Sequence, residues 1–229
     1  MKNVTNFFND KAQKFSNNYY NVKNFRERYK FLSYKIKNLF KNNLKKNIQI
    51  LDYGCGEGIF TVALSHYGDV TAVDGSKHML ELAKKKTTSK KIKNIKFILS
   101  NLNNYNSNKK FKLIFCSSVM EYLDNFSQHL DKLYNLLDDK GTLFLTLPNS
   151  RSIYRLIEIV LFKLINIPKY YNYVKLNENE DFYRKILNKK NFSISKVNYF
   201  SNNIKIFDYL KIFPKYKSTM ILFTLRKKK

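Results

Sequence analysis

The chain has 229 residues, 44% of them hydrophobic, so it can bury the core of one α/β domain with additions. This composition excludes a disordered chain, and the two cysteines, Cys55 and Cys116, exclude a disulfide framework. The first residues lack the apolar core of a signal peptide, and no stretch is long and apolar enough to span a bilayer. We therefore expect a cytoplasmic protein.

The formal net charge is +26, which predicts attraction to polyanions such as nucleic acid or anionic lipid. The lysines are scattered along the chain, however, in runs such as Lys84–Lys86 and Lys227–Lys229. An AT-rich genome would enrich lysine and asparagine without selection for binding. We expect such drift to explain the charge better than nucleic-acid binding does.

Residues 1–46 contain no glycine or proline and repeat aromatic and aliphatic residues at helical spacing, as at Tyr29, Leu32 and Ile36. This pattern predicts two helices before the first strand. We place a domain boundary here, with a helical segment at 1–46 and one α/β domain at 47–229.

A buried strand is predicted over 48–51, and it stops at an acid and three glycines. Gly54, Gly56 and Gly58 allow a tight turn in which the backbone can press against a ligand. The next run, 59–64, contains no helix breaker. A strand, a glycine turn and a helix start are typical of a cofactor cradle at the carboxyl end of a strand.

The pattern from Asp52 is D-x-G-x-G-x-G, and the dinucleotide frame G-x-G-x-x-G fails because it requires a glycine at Ile59. The observed pattern resembles motif I of the class I S-adenosylmethionine (SAM)-dependent methyltransferases; the alternative is an ordinary glycine-rich turn. The resemblance implies SAM as cofactor, with Asp52 in its site. It also implies a Rossmann-like α/β fold: a mostly parallel seven-stranded sheet with a C-terminal antiparallel hairpin, and a lid formed by the N-terminal helices.

The second strand, 70–73, ends at Asp74, twenty positions after Gly54. This spacing suits a carboxylate that accepts hydrogen bonds from both ribose hydroxyls. After the third strand, 95–99, members of the family commonly have an aspartate that contacts the adenine amino group, where this chain has Asn101. With Ser76 as the cap of the next helix, the resemblance implies further cofactor-site residues: Gly75, Ser76, Met79, Asn101, Leu102 and Cys116.

The segment after the fourth strand, 111–115, resembles that of small-molecule methyltransferases, including the ubiquinone O-methyltransferases. Those enzymes have E-x-x-E-H here, whose acids and histidine can hold a divalent ion. This chain has Ser118, Glu121 and Tyr122 at the three positions. A single carboxylate does not make a metal site, so we predict none.

Residues 150–173 form a basic amphipathic insert after the fifth strand, 142–147. One apolar stripe is expected to face the core: Ile153, Leu156, Ile157, Val160, Leu161, Leu164 and Ile165. Ile159 and Phe162 then fall on the outer face beside Arg151 and Arg155. That pairing predicts contact with an anionic membrane surface; burial under the N-terminal helices is the alternative.

The resulting hypothesis is a SAM-dependent methyltransferase that acts on a small-molecule acceptor, lipophilic or sugar-like, at a hydroxyl oxygen. A hydroxyl acceptor benefits from a nearby base, for which we select Glu121 first and Tyr19 second. His129 is expected to be exposed. The charge favours an RNA methyltransferase as an alternative, but the N-P-P-Y signature of base-amino methylation is absent. A non-catalytic SAM-binding protein is the third hypothesis, and the sequence does not indicate the oligomeric state.

Overall fold

The computed structural model describes residues 4–43, 48–202 and 211–228. Seven strands form one sheet in the order β3-β2-β1-β4-β5-β7-β6. The strands are β1 Ile48–Tyr53, β2 Gly68–Asp74, β3 Ile95–Leu99, β4 Phe111–Ser117, β5 Leu137–Pro148, β6 Phe192–Asn202 and β7 Ser218–Lys227. The pairs among β1 to β5 are parallel, and β7 is antiparallel to both β5 and β6. The predicted fold class is confirmed.

Helices cover both faces of the sheet, as parallel strands require. They are α1 Val4–Asn21, α2 Lys23–Asn43, α3 Ile59–Leu64, α4 Lys77–Ser89, α5 Phe126–Leu136, α6 Ile153–Ile165, α7 Glu180–Lys189 and α8 Pro214–Lys217. Short 3₁₀ turns span Met120–Tyr122 and Lys169–Tyr173. No helix among the described residues is long and apolar enough to cross a membrane.

The two faces of the sheet bury separate hydrophobic clusters, because successive side chains of a strand point to opposite sides. Leu51 of β1 packs in the cluster that includes Leu130 of α5. Ile50 packs on the other face, where Leu32 and Ile36 of α2 are almost completely buried. The central strand β1 is therefore covered on both sides, which fixes the loop that follows it.

The two N-terminal helices have different positions. Helix α2 packs on the sheet, whereas α1 lies across its carboxyl edge, where Asn9 reaches the start of α4. The predicted boundary at residue 46 lies outside the described residues, so the extent of the lid remains a prediction.

The predicted orientation of α6 is wrong. The stripe expected to face the core is largely exposed, with Leu156, Val160 and Leu164 at 52%, 54% and 75% exposure. Ile159 and Phe162 are half-buried, and the Phe162 ring stacks on Tyr171 at 5.6 Å. The inner face also holds polar side chains that bond to one another, and hydrophobic periodicity does not detect such a face.

Candidate active site

A cavity of about 1160 Å³ opens at the carboxyl edge of the sheet. It is lined by the ends of β1, β2 and β4, by α1, and by the start of α6. In parallel α/β sheets, ligands bind where the strand order reverses. Here β1 is followed outward by β2 on one side and by β4 on the other. The cavity lies at this switch point.

Asp74 holds the glycine turn in place. The Gly56 N–H donates to Asp74 Oδ2 at 2.8 Å, and the Ser76 N–H donates to Oδ1 at 2.8 Å. Burial raises the pKa of Asp74, while these backbone donors act in the opposite direction. One carboxylate thus joins the turn after β1 to the turn after β2.

The three glycines of the turn have positive φ but different surroundings. A Cβ on Gly54 would lie 2.3 Å from Val119 Cγ2, and one on Gly58 would lie 2.8 Å from Ala83 Cβ. A Cβ on Gly56, at φ 53°, would meet no described atom within 4 Å. Gly54 and Gly58 therefore serve internal packing, and Gly56 leaves open space in the cavity for a ligand.

Most of the predicted cofactor residues come together around this cavity. Its lining includes Asp52, Gly54, Gly56, Asp74, Gly75, Ser76, Met79, Asn101 and Leu102, as well as both predicted catalytic residues, Tyr19 and Glu121. The Cys116 side chain is fully buried in the core instead, and Ser117 and Ser118, which follow it, line the cavity.

Asp52 is a second buried acid at this end of the cavity. It is 2% exposed, and Thr61 Oγ1 donates to its Oδ2 at 2.6 Å. Burial raises the pKa of Asp52 to about 7, the Thr61 hydrogen bond opposes the shift, and the neighbouring Asp74 adds to it. Asp52 and Asp74 are thus two neighbouring carboxyl groups with raised pKa values. A cation bound beside them would stabilise their ionised forms, so this end of the cavity favours a positively charged ligand.

Helix α1 is hydrogen-bonded to the cofactor side of the cavity. Ser76 Oγ donates to Asn9 Oδ1 at 2.6 Å, and the His78 N–H donates to the same oxygen at 3.3 Å. Farther along the cavity, Phe7 packs against Tyr173 at 4.6 Å and Phe8 against Tyr122 at 5.2 Å. Helix α1 therefore bridges the glycine-turn side of the cavity and the insert.

Glu121 lies between the glycine turn and the insert. It is 4% exposed, and its Oε2 has no hydrogen-bond partner among the described residues. Burial raises the pKa of Glu121, and the positive charges of Arg28 and Arg155 oppose the shift. A carboxylate whose pKa is raised toward neutrality is suited to general-base catalysis.

Tyr19 is a weaker candidate base. Its ring packs edge-on against Phe25 at 5.1 Å and Phe60 at 6.1 Å. Burial raises the pKa of Tyr19, and the charge of Arg28 opposes this. A phenol with a raised pKa stays protonated at neutral pH, so it can position an acceptor more readily than it can deprotonate one.

Arg28 is the main site residue that the sequence did not indicate. It lines the cavity, yet its Nε and Nη2 are buried and have no hydrogen-bond partner among the described residues. These two nitrogens form one edge of the guanidinium, the fork that binds a carboxylate in bidentate fashion. No signal distinguished Arg28 from its neighbours Lys23, Arg26 and Lys30 in the basic helix α2.

The wall formed by the insert contains a polar network. Arg155 Nη1 donates to Glu158 Oε2 at 3.0 Å and to the Tyr170 hydroxyl at 2.6 Å, and that hydroxyl donates to Glu158 Oε1 at 3.0 Å. Because Glu158 pairs with Arg155, this wall is polar without a large net charge. The network also explains why α6 places charged residues inward.

His129 is buried, and the expectation that it is exposed is wrong. The Tyr53 hydroxyl lies 2.8 Å from its Nδ1, and Asn103 Oδ1 lies 2.7 Å from its Nε2. Burial lowers the pKa of His129 to about 4, and Lys132 adds to the shift. The neutral ring supports the loop at Leu102 and Asn103 that lines the cavity.

Among the described residues, no three His, Cys, Asp or Glu side chains are grouped closely enough to hold a metal ion. The prediction that the site works without a metal is left to experiment. Ser118 and Tyr122, which replace two ligand types of the resembled motif, both line the cavity beside Glu121.

Comparisons with known proteins agree with this architecture. The chain is 29% identical over 159 residues to a malonyl-[acyl-carrier protein] O-methyltransferase of Ilyobacter polytropus, covering 68% of this chain and 57% of that protein. It is 27% identical over 146 residues to a ubiquinone biosynthesis O-methyltransferase of Rickettsia canadensis, covering 62% and 61%. The chain thus spans about three fifths of the length of these curated relatives.

Among solved structures, the magnesium protoporphyrin IX methyltransferase of Synechocystis, with bound S-adenosylhomocysteine, superposes with a TM-score of 0.75. The two sequences are 18% identical, and the match covers 98% of each chain. This likeness concerns the fold. Residues 44–200 match the family model described as a methyltransferase domain. The chain therefore belongs to the class I SAM-dependent methyltransferase family.

Proposed function

We propose that this protein transfers the methyl group of SAM to a hydroxyl oxygen of a small-molecule acceptor. The observation that carries the proposal is the arrangement around Gly56. Its N–H is fixed to Asp74 at 2.8 Å, and the space above its α-carbon is open. A ligand can approach the backbone closely there, while Asp74 remains close enough to accept from a ribose diol.

The charges along the cavity match those of SAM. The cofactor carries a sulfonium and an ammonium, for which Asp52 and Asp74 provide the favourable end. It also carries a carboxylate, and the free fork of Arg28 is the group that would bind it. Ribose at Asp74 and carboxylate at Arg28 would hold the cofactor at two separate points.

The volume of the cavity supports a second ligand beside the cofactor. At about 1160 Å³ it exceeds the usual range for a single drug-sized molecule. Glu121 lines this cavity and has an unpaired oxygen, and we assign it to the acceptor. SAM is an activated donor, so the protein needs mainly to align the acceptor and remove its proton. Glu121 would take that proton as the methyl–oxygen bond forms and the sulfur–methyl bond breaks.

The experiment that tests the function uses SAM labelled at its methyl group. The purified protein is incubated with labelled SAM and a fractionated cell extract, and the labelled product is identified by mass spectrometry and NMR. We expect a methyl ether in a small molecule. Label in RNA would instead support the nucleic-acid alternative, and no transfer to any fraction would favour a non-catalytic SAM-binding protein.

The role of Arg28 can be tested by comparing SAM with an analogue that lacks the carboxylate. We expect Arg28→Met to weaken SAM binding by about 10- to 100-fold, the value of a lost hydrogen-bonded charge pair. Decarboxylated SAM lacks the group that Arg28 would bind, so Arg28→Met should leave its affinity almost unchanged. Isothermal calorimetry with both ligands measures the difference. An equal loss for both ligands would contradict the assignment.

The raised pKa of Asp52 predicts that the affinity for SAM depends on pH. Its pKa is about 7 in the free protein, and a bound cation favours the ionised carboxylate and lowers that pKa. SAM binding should then release a proton, so its affinity should rise as the pH increases from 6 to 8. Asp52→Asn should flatten this rise. Affinities measured across that range check it, and an equal slope in the variant would remove Asp52 from the explanation.

A further inference from the structure

The outward face of α6 is apolar and has no partner among the described residues. Its exposed fractions are unusual for aliphatic side chains, reaching 75% at Leu164 and 59% at Ile165. Ile167, the next aliphatic residue after the end of α6, is 52% exposed. The face comprises Leu156, Ile157, Val160, Leu161, Leu164, Ile165 and Ile167. A contiguous apolar patch of this kind marks an interaction site.

A second exposed segment adjoins this face. Helix α8 packs against α6, and Phe213 just before it is 71% exposed, with Tyr216 at 39%. The Asn149 side chain, a few residues before α6, fixes α8 by donating to the Lys215 carbonyl at 2.8 Å and to the Ser218 carbonyl at 2.7 Å. We name residues 156–167 and 211–217 together the α6–α8 surface.

The charge of this surface is positive. Its only acidic side chain in sequence is Glu158, which is paired with Arg155 on the inner side of α6. Three lysines lie in the segment around α8, and one in α6: Lys211, Lys215, Lys217 and Lys163. The surface thus combines exposed aliphatic side chains with aromatic and cationic ones.

We propose that the α6–α8 surface docks on an anionic lipid bilayer. Helices of this kind lie in the interface plane, where apolar side chains enter the lipid and lysines meet phosphates. The exposed Phe213 and Tyr216 suit the same zone. A second copy of the chain would bring like charges together, and nucleic acid would leave the aliphatic side chains exposed to water. An anionic bilayer can both bury the aliphatic side chains and neutralise the lysines.

Docking would bring the acceptor cavity close to the lipid. The inner side of α6 contributes Tyr154, Arg155 and Glu158 to the cavity wall, while its outer side forms the α6–α8 surface. A lipophilic acceptor could therefore reach Glu121 without crossing bulk water. This last step rests on the proposed function, whereas the docking itself does not.

Co-sedimentation with vesicles tests the docking. We expect the protein to pellet with vesicles of phosphatidylcholine and phosphatidylglycerol at 3:1, and to stay in the supernatant with pure phosphatidylcholine. Val160→Ser combined with Leu164→Ser should reduce the bound fraction about tenfold. Leu99→Ser, at a position 56% exposed on β3, is the matched control and should bind as the parent does.

Charge-reversed variants distinguish the effect of the lysines of the α6–α8 surface on vesicle binding from that of the overall positive charge. Lys163→Glu with Lys215→Glu should lose binding, whereas Lys84→Glu with Lys90→Glu on the distant α4 segment should lose much less. Equal losses in both pairs, or no binding of the parent to anionic vesicles, would overturn the proposal. So would a dimer in sedimentation equilibrium that Val160→Ser with Leu164→Ser dissociates. Each variant is also titrated with SAM, so that a failed fold or cofactor site is recognised separately.

Discussion

Gly56→Val is expected to abolish SAM binding while the protein remains folded. The valine side chain would enter the open space above Gly56, which we assign to the cofactor. It would also have to adopt φ 53°, a left-handed conformation that costs about 1–2 kcal/mol for a residue with a Cβ. The side chain in the cofactor space should weaken SAM binding at least about 100-fold in calorimetry, or about 2.7 kcal/mol, while the backbone strain should lower stability.

The control for Gly56→Val must have the same backbone strain elsewhere. Asn191 has φ 59° in the turn between α7 and β6, away from the cavity. Asn191→Val should lower the melting temperature by a similar amount and leave SAM affinity unchanged. If Gly56→Val binds SAM as well as Asn191→Val does, the cofactor lies elsewhere. Gly54→Val would be a poor test, because its side chain would collide with Val119 and disturb the fold.

Glu121→Gln is expected to lower kcat by about 10²- to 10⁴-fold, the usual contribution of a general base. The amide keeps the size of the carboxyl group but cannot take the proton of an acceptor hydroxyl. SAM affinity should be almost unchanged, because Glu121 is assigned to the acceptor. Steady-state kinetics with the acceptor identified by labelling, together with calorimetry for SAM, measure the two effects.

The pH dependence of the parent adds a second readout. Burial raises the pKa of Glu121 above that of an ordinary glutamate. A base must be ionised, so activity should fall as the pH drops through this raised value, at a higher pH than for an exposed glutamate. Tyr19→Phe is the companion variant. A larger kcat loss in Tyr19→Phe than in Glu121→Gln would exchange the roles of the two residues.

The parts of the site that lie close in sequence could be predicted. The glycines follow β1 directly, and Asp74 ends β2 at a fixed spacing from them, so their meeting needs only a parallel pair of strands. The hydrogen bond from Gly56 to Asp74 realises that geometry. The central strands contain short apolar runs, such as residues 113–116 of β4, which are detectable because both faces of the sheet are covered.

The parts that depend on tertiary packing could not be predicted. Arg28 is one cation among several in α2, and only the path of that helix brings its guanidinium into the cavity. Asn9 accepts a hydrogen bond from Ser76, the N-cap of α4, which lies 67 residues away in sequence. For α6, the hydrophobic stripe indicated an amphipathic helix but not which side faces inward, because Arg155, Glu158 and Tyr170 satisfy one another on the buried side.

Hydrogen–deuterium exchange with and without S-adenosylhomocysteine tests most directly whether the cofactor lies at this switch point beneath α1. The account predicts slower exchange at residues 54–58, 74–79 and 101–105, and in α1, where Asn9 bonds to the start of α4. Residues 191–198 of β6 and its preceding turn should exchange at an unchanged rate. Protection confined to other segments, or no protection at 54–58 at saturating ligand, would contradict it.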